Sequence, residues 1–179
     1  MIITKANEKS AEALSNLVNS AFRGESSRQG WTTEADLLDG QRTDAALLAE
    51  WMESPDRLIL KAEAHGELKG CVSLEKLGTR ARLGMLTVSP ELQNRGLGRQ
   101  LLIAAEKFAE SQWQCSEMEM QVIQGRDSLV DWYLRCGYQL MPETRPFPYG
   151  NPRMGLPKVQ TLTFVVLLKS LNPPVSLQQ

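Results

Sequence analysis

Three β-rich runs follow one another with only tight turns between them: RLILKAEA at 57–64, LKGCVSLEKL at 68–77 and RARLGMLTVSP at 80–90. Strands joined this closely pair antiparallel, because a parallel connection needs a crossover of about a dozen residues or more. The meander therefore excludes a purely alternating, doubly wound sheet. Around it the period changes. Residues 2–5 read as a first strand, and Ala11, Leu14, Leu17, Val18 and Phe22 recur at helical spacing behind Asn7, a capping residue. TTEADLL at 32–38 pairs a Thr cap with early acids and predicts a helix starting at Thr32 or Thr33. DAALLAEWMESPD predicts a short helix stopped by Pro55. Leu97, Leu101, Ala104, Ala105 and Phe108 form one apolar stripe over 96–112. EMEMQVI (117–123) alternates as a strand, RDSLVDWYLRCGY (126–138) predicts a helix ended by Gly137, and TFVVLL (163–168) a last strand. The intervening MPETRPFPYGNPRMGLP, rich in proline and glycine, reads as a long loop. This order describes one α/β domain with a mixed sheet over residues 1–170, followed by a short tail, 171–179.

With 179 residues, 42% hydrophobic and 23% charged, the chain buries a core without disulfides or a structural metal. A formal charge of −1 and the lack of a basic run argue against a nucleic-acid partner. Cys71, Cys115 and Cys136 have no close spacing, so reduced thiols fit better than a disulfide framework or a zinc site. His65 sits alone in a turn-like stretch, and no metal cluster can be built around it. No apolar run approaches the roughly 20 residues of a membrane span, and the N-terminus carries no signal-peptide pattern. The expectation is a cytoplasmic protein that binds neither membrane nor nucleic acid.

The chemistry centres on VSPELQNRGLGRQLL, 88–102. A helix start leaves backbone N–H groups unpaired and favours an anion. Gly96 and Gly98 remove side chains that would keep an anion from those amides, and Arg95 and Arg99 add charge at the same mouth. The glycines alone fit a tight strand-to-helix bend equally well. A dinucleotide fingerprint would need a third glycine where Leu101 stands, and a P-loop would need Gly-Lys-Ser/Thr.

The stretch resembles the acyl-CoA signature of the GNAT family of N-acetyltransferases, a strand ending in V-x-P and then Q/R-x-x-G-x-G/A opening a helix. Gln93, Gly96 and Gly98 occupy the signature positions. One strand later, LVDWYLRCGY resembles the family's second conserved helix, with Trp132, Tyr133, Arg135, Gly137 and Tyr138 matching. The resemblance is tight over 80–140, and the element order extends it from residue 2 to about 169. It implies a mixed, mostly antiparallel central sheet flanked by helices and splayed between its fourth and fifth strands, here 80–88 and 117–123. It also implies acetyl-CoA as co-substrate and no metal. Pantetheine would pair with the backbone around Leu86, Thr87 and Val88. The pyrophosphate would rest beside Gln93 on amides of Asn94, Arg95, Gly96, Leu97, Gly98 and Arg99. A backbone N–H of the splayed strand would polarise the acetyl carbonyl, and the acceptor amine would attack directly, leaving the cysteines to packing. Tyr133 carries over as the general acid for the departing thiolate, although its spacing from Leu129 also fits a core aromatic. Arg126 stands where many members place a cofactor-contacting Asn, and fits a surface arginine at a helix start equally well.

An acceptor amine is protonated at neutral pH and calls for a negative or acceptor-lined pocket. Trp31, Glu34 and Asp36 are the candidates for binding it, with Tyr149 a further cation–π face; the two acids also suit a helix N-terminus. Glu75 and Glu119 are alternative bases, although their strand alternation permits plain solvent exposure equally and singles out neither. WTTEADLLDGQRT and RPFPYG further resemble a bacterial subgroup of the family, a likeness that names no substrate. A small-molecule amine is expected, with a protein or peptide amine and a non-catalytic acyl-CoA sensor as alternatives. A homodimer stays open.

Overall fold

The computed structural model describes residues 1–171. Most of the expected tail, residues 172–179, lies outside the described residues. The elements are β1 (Ile2–Lys5), α1 (Ala11–Phe22), α2 (Gly24–Ser27), β2 (Leu38–Asp39), α3 (Ala45–Glu53), β3 (Arg57–Ala64), β4 (Glu67–Leu77), β5 (Arg80–Val88), α4 (Leu97–Trp113), β6 (Glu117–Ile123), α5 (Asp127–Arg135), β7 (Gln139–Pro146), β8 (Leu156–Pro157) and β9 (Thr163–Ser170). Seven strands form one sheet in the order β1-β3-β4-β5-β6-β9-β7. Every neighbouring pair is antiparallel except β5 and β6, which run parallel.

Strand alternation builds two cores. Leu58, Leu60, Val72 and Leu74 point to the face covered by α4 and α5, whereas Ile59 and Cys71 point to the face covered by α1 and α3. α3 starts on Asp44, whose carboxylate accepts the Leu47 N–H at 2.7 Å. α5 stops where expected: Gly137 is left-handed (φ 92°), and the Tyr138 N–H returns to the Tyr133 carbonyl at 3.1 Å.

β5 breaks its own alternation. The pairing of Cys71 with Thr87 and of Ser73 with Gly84 leaves one extra residue on β5, and Met85 takes φ 46° there. Ala81 and Leu83 lie on the α4 face before this bulge, and Leu86 and Val88 regain it afterwards. The parallel pairing with β6 covers only Arg80–Leu83 against Glu117–Met120. Beyond it β5 follows β4, β6 follows β9, and a wedge opens between them. The splayed sheet expected from the sequence is present.

Below the wedge, on the α1/α3 side, a charged rung crosses four strands. Arg57 faces Glu75, Glu75 faces Arg82 and Arg82 faces Glu119 in register. Glu119 is 1% exposed and binds Arg145 at 2.7 Å, Arg80 at 3.0 Å and Arg82 at 3.2 Å. Burial alone would raise its pKa, but the hydrogen bonds of Arg145 and Arg80 and the surrounding positive charge outweigh it and hold the carboxyl below the usual range. Glu119 is thus the shared anion of three arginines, which leaves Glu75 as the alternative base to consider.

Two further expectations fail locally. Residues 32–37 form a single turn, with the Leu37 and Leu38 N–H groups both on the Glu34 carbonyl at 2.9 Å, and no helix follows. The chain is diverted because Leu38–Asp39 pairs with Leu156–Pro157. The first part of the expected long loop is instead β7, an edge strand on β9 whose irregular register between Leu140 and Thr144 accommodates Pro142.

Glu119→Gln leaves three arginines without their shared anion, and a loss of about 2–4 kcal/mol is expected after allowing for their partial exposure. The Glu119 pKa is depressed on folding, so its contribution is present above the ordinary glutamate range and disappears as pH falls through the lower folded value. Urea titrations at several pH values should show wild type and variant converging in acid.

Candidate active site

The strand-to-helix turn after β5 is built to expose backbone. Asn94 (φ 64°) and Gly96 (φ 84°) are both left-handed. Gly96 is the N-cap of α4 and brings no capping side chain, so among the described residues the first amides of that helix receive no side-chain cap. A Cβ at Gly96 would meet nothing within 4 Å. Between this turn, the end of β5 and α5 lies a cavity of about 330 Å³. Leu86 and Val88 form its strand wall, Asn94, Gly96, Gly98 and Arg99 its helix mouth, and Leu129 and Trp132 its far side.

Gln93 does something the sequence did not foretell. Its Oε1 accepts the Trp31 N–H at 2.9 Å, and its Nε2 donates to Thr32 Oγ1 at 3.0 Å and to the Val88 carbonyl at 3.2 Å. The side chain is a clasp that brings residues 30–32 over the cavity. Gly30 makes the approach possible, since a Cβ there would stand 2.6 Å from Gln93 Oε1. Trp31 accordingly packs against Trp132, with ring centroids 6.4 Å apart, in the wall of this cavity.

Arg126 lines neither cavity described here. It donates to Glu34 Oε1 at 3.0 Å and to the Thr32 carbonyl at 2.6 Å, and the other Glu34 oxygen is bound by Arg23. Glu34, 8% exposed, is therefore locked between two arginines. Glu34 lines neither cavity, and Arg126 is a tie between α5 and the 32–34 segment. Asp36 is exposed and paired with Arg28 at 2.9 Å. Leu97 and Thr87 are buried and Arg95 is exposed, and none of the three is in the lining of this cavity.

Tyr133 is 6% exposed and packs edge-on against Trp132, with centroids 4.9 Å apart, and against Tyr138 at 5.8 Å. Burial raises its phenol pKa well above the ordinary tyrosine value, opposed by the charge of Arg126. All three cysteines are buried. Desolvation pushes the Cys71 thiol up to about 12 and raises Cys115 and Cys136 as well, so none is an activated nucleophile.

A second cavity, about 500 Å³, lies on the opposite face of the sheet between α3, the β5 bulge and the segment after β7. Leu47, Trp51, Met85, Pro148 and Phe164 give it apolar walls, and Arg42, Glu75, Arg82 and Gln121 its polar ones. The two cavities abut on consecutive residues of β5, Leu86 in one and Met85 in the other. Sequence reasoning singled out only Glu75 among these groups, although the segments 31–43 and 145–150 quoted there contain Arg42, Thr43, Pro146 and Pro148. The capped start of α3 at Asp44 was a usable signal for Arg42 and Thr43, because it places them at a helix mouth.

The model of the acetyltransferase (GNAT) family matches residues 12–138. The chain belongs to the GNAT acetyltransferase family. It is an acetyl-CoA-dependent acetyltransferase. Among solved structures, this GNAT chain shares its fold with the ribosomal-protein-S18-alanine N-acetyltransferase from Escherichia coli at 13% identity, covering 99% of this chain and 98% of that one, TM-score 0.70. An N-acetyltransferase from Staphylococcus aureus Mu50 matches at 10% identity over 95% and 97% of the two chains, TM-score 0.71. An aminoglycoside 6'-N-acetyltransferase complexed with coenzyme A matches at 17% over 97% and 98%, TM-score 0.68. No curated protein sequence matches this one. Among the described residues there is no group of His, Cys, Asp or Glu able to hold a metal, and no helix long and apolar enough to cross a membrane.

A Cβ at Gly98 would make ordinary contacts with Val88 and Trp132 at 3.7–4.0 Å, so Gly98→Ala should be mild. Gly98→Leu fills the cavity mouth and is expected to raise the KM for acetyl-CoA by about tenfold or more with the fold retained. Initial rates at varied acetyl-CoA, with circular dichroism on both variants, check this.

Proposed function

We propose that the protein transfers the acetyl group of acetyl-CoA directly to a primary amine of a small molecule held in the α3-side cavity. The observation that carries this reading is that consecutive residues of β5, Met85 and Leu86, line one cavity each just beyond the point where β5 stops pairing with β6. The co-substrate supplies an activated acetyl thioester. The main chain of Leu86, Thr87 and Val88 orients its arm, and amides from Asn94 to Arg99 with the Arg99 guanidinium hold the anionic end. The α3-side cavity is bounded by a helix and by Pro146 and Pro148, which supports a compact acceptor over a protein surface. Glu75 is the carboxylate in its lining and the proposed route by which the ammonium loses its proton. The buried cysteines support direct transfer without an acyl-enzyme.

Tyr133 is the proposed proton donor to the departing thiolate. Its raised pKa keeps the phenol protonated across the neutral range, and donation is lost only as pH rises through that value. Tyr133→Phe should lower kcat by about 10²-fold with the acetyl-CoA KM little changed. An unchanged kcat would remove Tyr133 from the chemistry. The kcat of the wild type should show no alkaline fall below pH ~10, the ordinary tyrosine value. CoA release from a panel of amines and N-terminal peptides tests the reaction itself. Binding of acetyl-CoA with no release on any amine would leave the protein a sensor.

A further inference from the structure

The α3-side cavity has an unusual charge inventory. Glu75 is bound through Oε1 by Arg57 at 2.8 Å and stands 3.7 Å from Arg82 through Oε2. Arg82 in turn donates to Glu119 at 3.2 Å. Arg42 lines the same cavity and has no carboxylate within ion-pair distance among the described residues. The charges acting around it are cationic: Arg42 disfavours the ionised forms of both Arg23 and Arg126. The acids nearby are committed. Glu34 is held by Arg23 and Arg126, and Asp44 by Arg153 at 3.0 Å through both oxygens. A half-buried guanidinium without a counter-ion is a site for an anion, which it meets with paired N–H donors.

A second observation points the same way. Thr43, next to Arg42 and 1% exposed, lines the cavity, and its Oγ1 is buried with no hydrogen-bond partner among the described residues. Trp51 Nε1, farther along α3 in the same wall, is likewise unpartnered. Buried polar atoms are almost always satisfied, so those left open in a cavity wall mark where an oxygen arrives from outside the chain. The remaining wall is apolar and aromatic. The sequence led to the expectation of a negative or acceptor-lined pocket for an amine; the charged groups lining this cavity are Glu75, Arg42 and Arg82.

Resting on the reading of this cavity as the acceptor site, we infer that the acceptor is an amino acid with an apolar side chain. Its carboxylate binds Arg42 beside Thr43, and its side chain packs on Trp51, Leu47 and Phe164. Its amino group, attracted by Glu75, faces Gly84 and Met85 where the strands part. A site built for a carboxylate should reject the analogue that lacks it, because the guanidinium would be left unpaired.

The test is CoA release with acetyl-CoA and matched acceptors: leucine, methionine and phenylalanine, their amides, the corresponding decarboxylated amines, and spermidine. The free acids should exceed their decarboxylated counterparts by about 10²-fold or more in kcat/KM. Arg42→Gln should collapse that preference, Arg42→Lys should restore part of it, and the acetyl-CoA KM should stay put in both. Thr43→Val, which removes an unpartnered hydroxyl, should leave the melting temperature level or higher while raising the KM for the acid several-fold. A preference for the decarboxylated amines or spermidine, or an acid preference untouched by Arg42→Gln in a folded variant, overturns the inference and leaves the transferase reading standing. No transfer to any acceptor, despite acetyl-CoA binding, overturns both.

Discussion

The molecule is organised by how early β5 and β6 stop pairing. Four residue pairs, from Arg80 with Glu117 to Leu83 with Met120, hold the strands parallel before each turns to its outer neighbour. Directly beneath the parting, Glu119 gathers Arg80, Arg82 and Arg145. That buried carboxylate is expensive to desolvate, and only the three guanidiniums around it make the arrangement tolerable. Its value is positional: it fixes the closed end of the wedge, and both cavities inherit their geometry from that point.

A second set of contacts ties the roof of the co-substrate cavity to its floor. Gln93 clasps residues 31 and 32, and the Arg23–Glu34–Arg126 chain pins the same segment to the start of α5. Trp31 and Trp132 close the wall between them. These groups are drawn from four separate parts of the chain, so the cavity is held in shape by the fold before anything enters it. Such preorganisation lowers the entropy lost on binding.

Much of this was legible in the sequence where local chemistry decides structure. The meander, the apolar stripe of α4, the Asp44 cap and the Gly137 stop all follow from spacing and backbone preference. The shift from Ala81 and Leu83 to Leu86 and Val88 even carries the β5 bulge in its parity. What escaped depends on distant partners. Residues 32–37 have a good helix start, yet the partner of Leu38 is Pro157, more than a hundred residues away. β7 contains two prolines and is a strand only because β9 offers an edge. The candidate site divided the same way: Gly96, Gly98 and Trp132, which line the cavity, stand out by pattern, while the partners of Glu34, Arg23 and Arg126, lie too far along the chain to be read. Charge in a sequence says nothing of who neutralises it.

The bulge at Met85 gives one strand two allegiances. Residues a single step apart serve opposite faces of the sheet, Leu86 lining one cavity and Met85 the other. If the two cavities hold the two reactants as proposed, neither reactant needs to pass through the other's cavity to enter or leave. The order of arrival and departure would then be left to the relative affinities of the two faces.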